Sequence, residues 1–148
     1  MRSLVIDCCL ALVQLVFVPT IAETQSLGER DTGFKIILSQ RAEKPKGLQA
    51  FITSTNTYPC EGYTIRSQVR WERDTVSIRI LGLLRPSPCI QSASEATGSA
   101  YLGTLADGLH VIRIYYRGDV DLHKVTISKS QISVAPLRNQ FTEFSVNK

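Results

Sequence analysis

The sequence predicts an all-β protein, a sandwich or barrel of eight or nine short strands tied by one disulfide. Three observations carry that expectation. Between Cys60 and Cys89, Ile65, Val69 and Trp71 stand at odd positions and Val76, Ile78, Ile80 and Leu84 at even ones. That is the period of two strands with one buried face each. Elsewhere, short extended stretches recur with Gly, Pro and Asp between them, and no stretch reads convincingly as a helix. The third observation is the cysteine arithmetic, which depends on how the chain begins.

Met1 and Arg2 make a positive start, Cys8 to Val18 is apolar apart from Gln14, and Thr20 and Ala22 are the small residues a signal peptidase reads. The run is shorter than the roughly 20 apolar residues a membrane helix needs. Residues 1–22 are therefore expected to be a secretory signal cleaved after Ala22, which makes the protein secreted or periplasmic with no membrane span in the mature chain. Cleavage removes Cys8 and Cys9 and leaves Cys60 and Cys89, for which a disulfide is the default in an oxidising compartment. It would close a loop of about 30 residues, worth roughly 3–4 kcal/mol by chain entropy. Two free thiols fit less well beside Pro59, Pro86 and Pro88, and no CxxC or Cys/His cluster exists to hold a metal. The chain carries 17 basic and 13 acidic residues, net +4, and losing Arg2 and Asp7 together leaves that net unchanged. So modest an excess permits an acidic partner without requiring one. There is no Asn-x-Ser/Thr sequon.

After a polar lead-in over residues 23–33, a single domain is expected over 34–148. Phe34 to Ser39 is the first strand and Arg41 to Gly47, with Pro45, a turn. Leu48 to Thr55 alternates Ala50, Ile52 and Ser54 against Phe51 and Thr53 and forms the second. Strands over 63–72 and 76–84 follow, turning at Asp74-Thr75, with Trp71 opposite Ile78, Val69 opposite Ile80 and Ile65 opposite Leu84. A one-residue slip would turn these side chains to water. The same register brings Cys60 and Cys89 together at the open end. Arg85 to Ser99 has Ile90 as its one large apolar residue and reads as a long loop crossing between sheets. Ala100 to Leu105 is the fifth strand. Leu109 to Tyr116 is apolar on both parities except at His110 and Arg113, as a central strand would be, and Leu122 to Ser128 returns after the turn Gly118 to Asp121. Ile132 to Ala135 and Phe141 to Val146, parted by Pro136, complete the series.

The stretch Leu105-x-x-Gly108-x-x-x-Ile112-x-Ile114, followed by a hairpin, resembles the penultimate hairpin of secreted bacterial immunoglobulin-like modules. The resemblance implies an immunoglobulin-like β-sandwich of seven to nine short antiparallel strands. It implies architecture alone, since such sandwiches host unrelated functions. Leu109 stands where those modules often carry an aromatic, so the resemblance draws no support from a tyrosine corner.

Catalytic and metal signatures are sparse. His110 and His123 share one hairpin, and aligning Ile112 and Ile114 with Val125 and Ile127 sets His110 opposite Ile127 and His123 opposite Ile114. The two rings would then stand about 13 Å apart along the sheet, too far to share a metal. No Gly-x-Ser-x-Gly elbow or phosphate-binding glycine pattern occurs. Asp107, Asp119 and Asp121 read as turn formers. No catalytic residue, metal or cofactor is expected. The surface feature above background is the outward side of the stapled hairpin: Arg66 and Arg70 on one strand, Arg79 and Arg85 on the other, around Leu81 and Leu83. In this register Arg70 lies opposite Arg79. A second layer over the leucines would make these arginines a rim. Uncovered, the four arginines form a candidate binding face for another protein or an anionic surface polymer. Tyr115, Arg113, Leu122 and Lys124 make a similar mixed face on the later hairpin. Trp71 is expected in the core, which leaves no aromatic platform for sugar. The sequence thus points to an exported, non-catalytic binding or interaction module, with no role in nucleic-acid binding expected. The alternative is a secreted inhibitor presenting the 85–99 loop; an enzyme using His110 or His123 is less favoured.

Overall fold

The computed structural model describes residues 33–41, 47–128 and 131–147. The expected signal sequence over 1–22, the lead-in up to residue 32 and the centre of the turn before Gly47 lie outside the described residues. Among the described residues there are nine strands: β1 Phe34–Arg41, β2 Gly47–Cys60, β3 Thr64–Glu72, β4 Thr75–Leu84, β5 Gln91–Gly103, β6 Gly108–Tyr116, β7 Asp119–Ser128, β8 Gln131–Arg138 and β9 Thr142–Val146. The all-β class and the Cys60–Cys89 bond are as expected, with Cα atoms 5.3 Å apart. The strands join in the order β8-β7-β6-β4-β3-β5-β2-β1-β9 as one sheet rolled nearly into a barrel. Not every pairing is antiparallel: β1 with β9, β4 with β6 and β3 with β5 run parallel. The β3–β5 link is the single bridge Thr64–Thr97. The sheet is therefore two blocks, β8-β7-β6-β4-β3 and β5-β2-β1-β9, with the core between them.

That core follows the period of two. Phe34, Ile36 and Leu38 of β1, Ala50 and Ile52 of β2, Val76, Ile78 and Ile80 of β4, Ile112 and Ile114 of β6, and Val125 and Ile127 of β7 are all buried. Apart from Ala50, each such side chain contributes about 1.5–3 kcal/mol relative to exposure.

The stretch expected as a loop up to Ser99 is largely strand, since β5 starts at Gln91. Its small residues are what let it fit. A Cβ on Gly98 would come within 2.6 Å of the Ile65 carbonyl oxygen, and Ala96 and Ala100 are buried beneath that crossing. Where the β2–β5 ladder breaks between Thr53 and Thr57, the buried Ser54 hydroxyl takes over. It accepts from Ala96 N–H at 2.9 Å and donates to Asn56 carbonyl at 2.8 Å. The true crossover is Arg85–Ile90, and Cys89 within it is tied to Cys60 at the end of β2. One bond thus fastens the two places where the chain passes between blocks around the β3–β4 hairpin.

The register of that hairpin differs from expectation by two residues. It turns at Arg73-Asp74, with Arg73 at φ 54°, so Trp71 faces Val76 and Val69 faces Ile78. A slip of two keeps every side chain on its face. A bulge at Leu81-Gly82 then reverses the parity: Leu83 turns inward opposite Ile65, while Leu84 turns out and is 49% exposed. Trp71, expected in the core, is 46% exposed. It keeps the inward parity but stands where β3 has no ladder partner in β5, and its ring lies over Gly103, whose Cβ would meet the indole at 2.8 Å. Pro136 does not end a strand; β8 runs through it at the sheet edge, where a missing N–H costs no ladder bond.

No ladder joins β8 to β9 among the described residues, and what closes that seam is a carboxylate. Asp121 of β7, fully buried, accepts from Gln140 N–H at 2.8 Å on Oδ1. On Oδ2 it accepts from Phe141 N–H at 3.0 Å, Thr142 N–H at 2.8 Å and the Thr142 hydroxyl at 2.7 Å. It therefore holds the β8–β9 connection from across the seam. From there the two strands part, and the opposite end opens into a cleft of about 810 Å³ lined by Gln40, Thr126, Gln131, Ile132 and Val146.

Asp121→Ala strips four donors of their acceptor and is expected to lower unfolding free energy in urea by about 3 kcal/mol or more, with Asp121→Asn losing less. An unchanged midpoint for the alanine variant would mean that the seam closes without the carboxylate. Replacing Cys60 and Cys89 together by alanine is expected to cost roughly 3–4 kcal/mol. In the chain lacking residues 1–22, and with it Cys8 and Cys9, intact mass after alkylation should rise by two blocked thiols only when reductant is added.

Candidate anion-binding face

Three interior polar groups, Asp121, Thr142 and His123, form a hydrogen-bonded chain. The Thr142 hydroxyl gives its single hydrogen to Asp121, so His123 Nε2 must be the donor across the 2.8 Å contact to Thr142 Oγ1. That assigns His123 as the neutral Nε2–H tautomer, with Nδ1 buried and without a partner. Its ring lies 4.2 Å from that of Phe144. All three members are at most 3% exposed, so the Asp121–Thr142–His123 chain faces the core. Asp121, expected as a turn former, is thus a buried member of β7. The β6–β7 turn falls at Arg117-Gly118, which sets His123 opposite Ile112 and His110 opposite Val125. The histidines are then two residues apart along the sheet instead of four. His110 lies 2.8 Å from the Ala106 carbonyl oxygen. Among the described residues no cluster of three or more metal-ligating groups exists.

The outer side of the first block is different. Arg66, Arg70 and Arg79 are exposed and project from β3 and β4, while Arg85 lies just past the end of β4, beyond the parity reversal. Arg70 and Arg79 are not opposite one another; Arg70 faces Ser77 and Arg79 faces Gln68. The like-charge pair expected from the earlier register is therefore absent. Nor does a second layer cover this side among the described residues: Leu81 is 52% exposed, and Leu83 has turned inward.

The feature invisible in the sequence is the parallel pairing of β4 with β6. It aligns Ser77 with Arg113 and Arg79 with Tyr115, and so fuses the two mixed faces into one. Two guanidiniums lie over the Tyr115 ring, Arg79 at 5.5 Å and Arg113 at 6.0 Å from its centroid. Arg113 also donates to the Tyr115 hydroxyl at 3.2 Å and stands 3.7 Å from a Glu72 carboxylate oxygen. Lys124 of β7 faces outward in the next row, opposite Val111. Beyond the end of β6 the surface dips into a groove of about 570 Å³ lined by Arg79, Leu81, Tyr115 and Arg117. Among the described residues the outer side of the other block has no such density of cations. Phe51 faces Ile37, Thr53 faces Thr97, and Lys35 lies beside Glu143.

Burial lowers the His123 pKa below its ordinary value of 6.5, the charge of Asp121 pulling the other way. The unfolded chain therefore binds the extra proton first as pH falls. The stability owed to the neutral ring is complete above pH 6.5 and is lost as pH drops through the native pKa. His123→Gln, which keeps a donor without titrating, should flatten urea stability against pH below about 6.5 relative to the parent. Parallel profiles would show that the ring does not titrate with unfolding.

No protein-family model matches this chain, and neither a curated protein nor a solved structure matches it.

Proposed function

We propose that the chain is an exported, non-catalytic binding module that holds an anionic polymer or the acidic surface of another protein on the outer side of β3, β4 and β6. One observation carries the reading. The β4–β6 pairing brings Arg79 and Arg113 to Tyr115 and sets Arg70 in the same row as Arg113, with Glu72 as the one carboxylate in ion-pair range of the three among the described residues. Exposed arginines of this kind retain their charge and offer planar donors to carboxylate, sulfate or phosphate. Export is supported by the residue pattern of 1–22 and by a disulfide, which persists in oxidising compartments. Two blocks facing across a core are compatible with the immunoglobulin-like sandwich expected from Leu105 to Ile114, and that likeness supports architecture alone. The inhibitor reading would now rest on Arg85–Ile90, because Gln91 onward is strand.

The variant Arg70→Ala/Arg79→Ala/Arg113→Ala is expected to elute from an anionic matrix at clearly lower salt than the parent. The slope of log affinity against log salt should fall by about one for each arginine removed. Arg66→Ala/Arg85→Ala, away from the Tyr115 cluster, should change elution less. Equal elution of the triple variant and the parent would rule the face out.

A further inference from the structure

Taking the anion-binding reading as its basis, we infer that the partner is a linear acidic polysaccharide carrying one anionic group on every second sugar, laid across the strands of the first block. The ladders place Arg70 of β3, Ser77 of β4, Arg113 of β6, Leu122 of β7 and Arg138 of β8 in one continuous row. Residues paired in this way share a side of the sheet, so cations alternate with neutral residues across all five strands. Arg70 and Arg138 are exposed and have no carboxylate within ion-pair range among the described residues; Arg113 shares Glu72 at 3.7 Å.

The spacing selects the ligand class. Neighbouring strands lie about 4.8 Å apart, so successive arginines in the row recur at about 10 Å. A nucleic-acid strand advances only about 3.4 Å per phosphate, far too dense to match one charge per arginine. An extended peptide repeats side chains on one face at about 6.6 Å, which also falls out of step within two repeats. Two sugars linked end to end have roughly the length of the arginine interval. Between the cations the row and its neighbour offer what sugar rings use: the half-buried apolar Leu122 and Val120 and the Tyr115 ring, with Ser77 buried beneath the row. Arg79 stands in the adjacent row beside Tyr115 and adds a flanking donor.

The test titrates the chain lacking residues 1–22 with three probes at equal charge concentration. Hyaluronan fragments carry one carboxylate per disaccharide, polygalacturonate fragments carry one per sugar, and polyphosphate is denser still. Hyaluronan is expected to bind tightest per charge, with affinity rising up to three disaccharides and then levelling. Arg70→Ala, Arg113→Ala and Arg138→Ala should each weaken it by about three- to tenfold, and Arg66→Ala and Arg85→Ala should not. Matching urea midpoints will show that the variants fold. Equal affinity per charge for all three probes, or no effect of Arg138→Ala, overturns the spacing inference while leaving a general anion face. Failure of every probe to bind overturns the face itself.

Discussion

One buried carboxylate does the work that a ladder does elsewhere in this molecule. Eight of the nine contacts around a closed nine-stranded barrel are made by backbone hydrogen bonds; the ninth, between β8 and β9, is not. Asp121 supplies four charge-assisted hydrogen bonds at that position, three of them to consecutive N–H groups of the β8–β9 connection and the first residue of β9. Bonds to an ionised acceptor are roughly twice as strong as neutral ones. Concentrating them at one end leaves the other end free to splay. The orientation of β9, and with it the edge of the second block, follows from this point, because Phe141 carbonyl oxygen also accepts from Phe34 N–H at 2.8 Å as β1 begins. The His123 ring backs the arrangement through Thr142 and Phe144, at the cost of one buried nitrogen without a partner.

The splayed seam leaves two strand edges without partners among the described residues, which is a standing invitation to intermolecular pairing. The β8 edge is blunted by Pro136, by the bulge near Leu137 and by Arg138. The β9 edge is five residues long and faces β8 across the cleft. At the opposite junction, β3 and β5 meet through one bridge and then diverge, and Trp71 lies over Gly103 where the ladder is missing. Side chains thus close the β8–β9 seam and supplement the single backbone bridge at the β3–β5 junction. The Cys60–Cys89 bond fixes the crossings that make such an arrangement possible.

What was legible in the sequence was whatever a period of two can carry. The alternation at Val76, Ile78 and Ile80 put the correct side chains inward even though the hairpin turned one residue earlier than expected, since a shift by two preserves faces. The same rule could not reveal Leu81-Gly82 as a bulge, and so Leu83 and Leu84 exchanged sides. Gln91 to Ser99 looked like a loop because its inward residues are Ala and Gly, chosen for the close approach of Ile65 and not for apolar area. Of the site, Arg66, Arg70 and Arg79 were readable as outward and basic. Arg113 and Arg138 were not joined to them, because parallel pairing between β4 and β6 leaves no local mark in either strand. Asp121 hid among turn-forming aspartates, although its parity with His123, Val125 and Ile127 was a signal that it faces inward.

A row of like charges raises the question of how the folded state tolerates it. Two unit charges about 10 Å apart in water repel by ~0.4 kcal/mol, and physiological salt screens with a length of about 8 Å. Arg70, Arg113 and Arg138 can therefore share a row at negligible cost to stability. Arg79 and Arg113 stand on adjacent strands one row apart, and both guanidiniums lie over the Tyr115 ring, whose negative face attracts each. Glu72 offsets part of the charge on Arg113 from the far side. The face is basic but not self-destabilising, so no stability argument demands that a second layer cover it. Its charges remain in water, where little desolvation of the protein opposes their transfer to an anion of matching spacing.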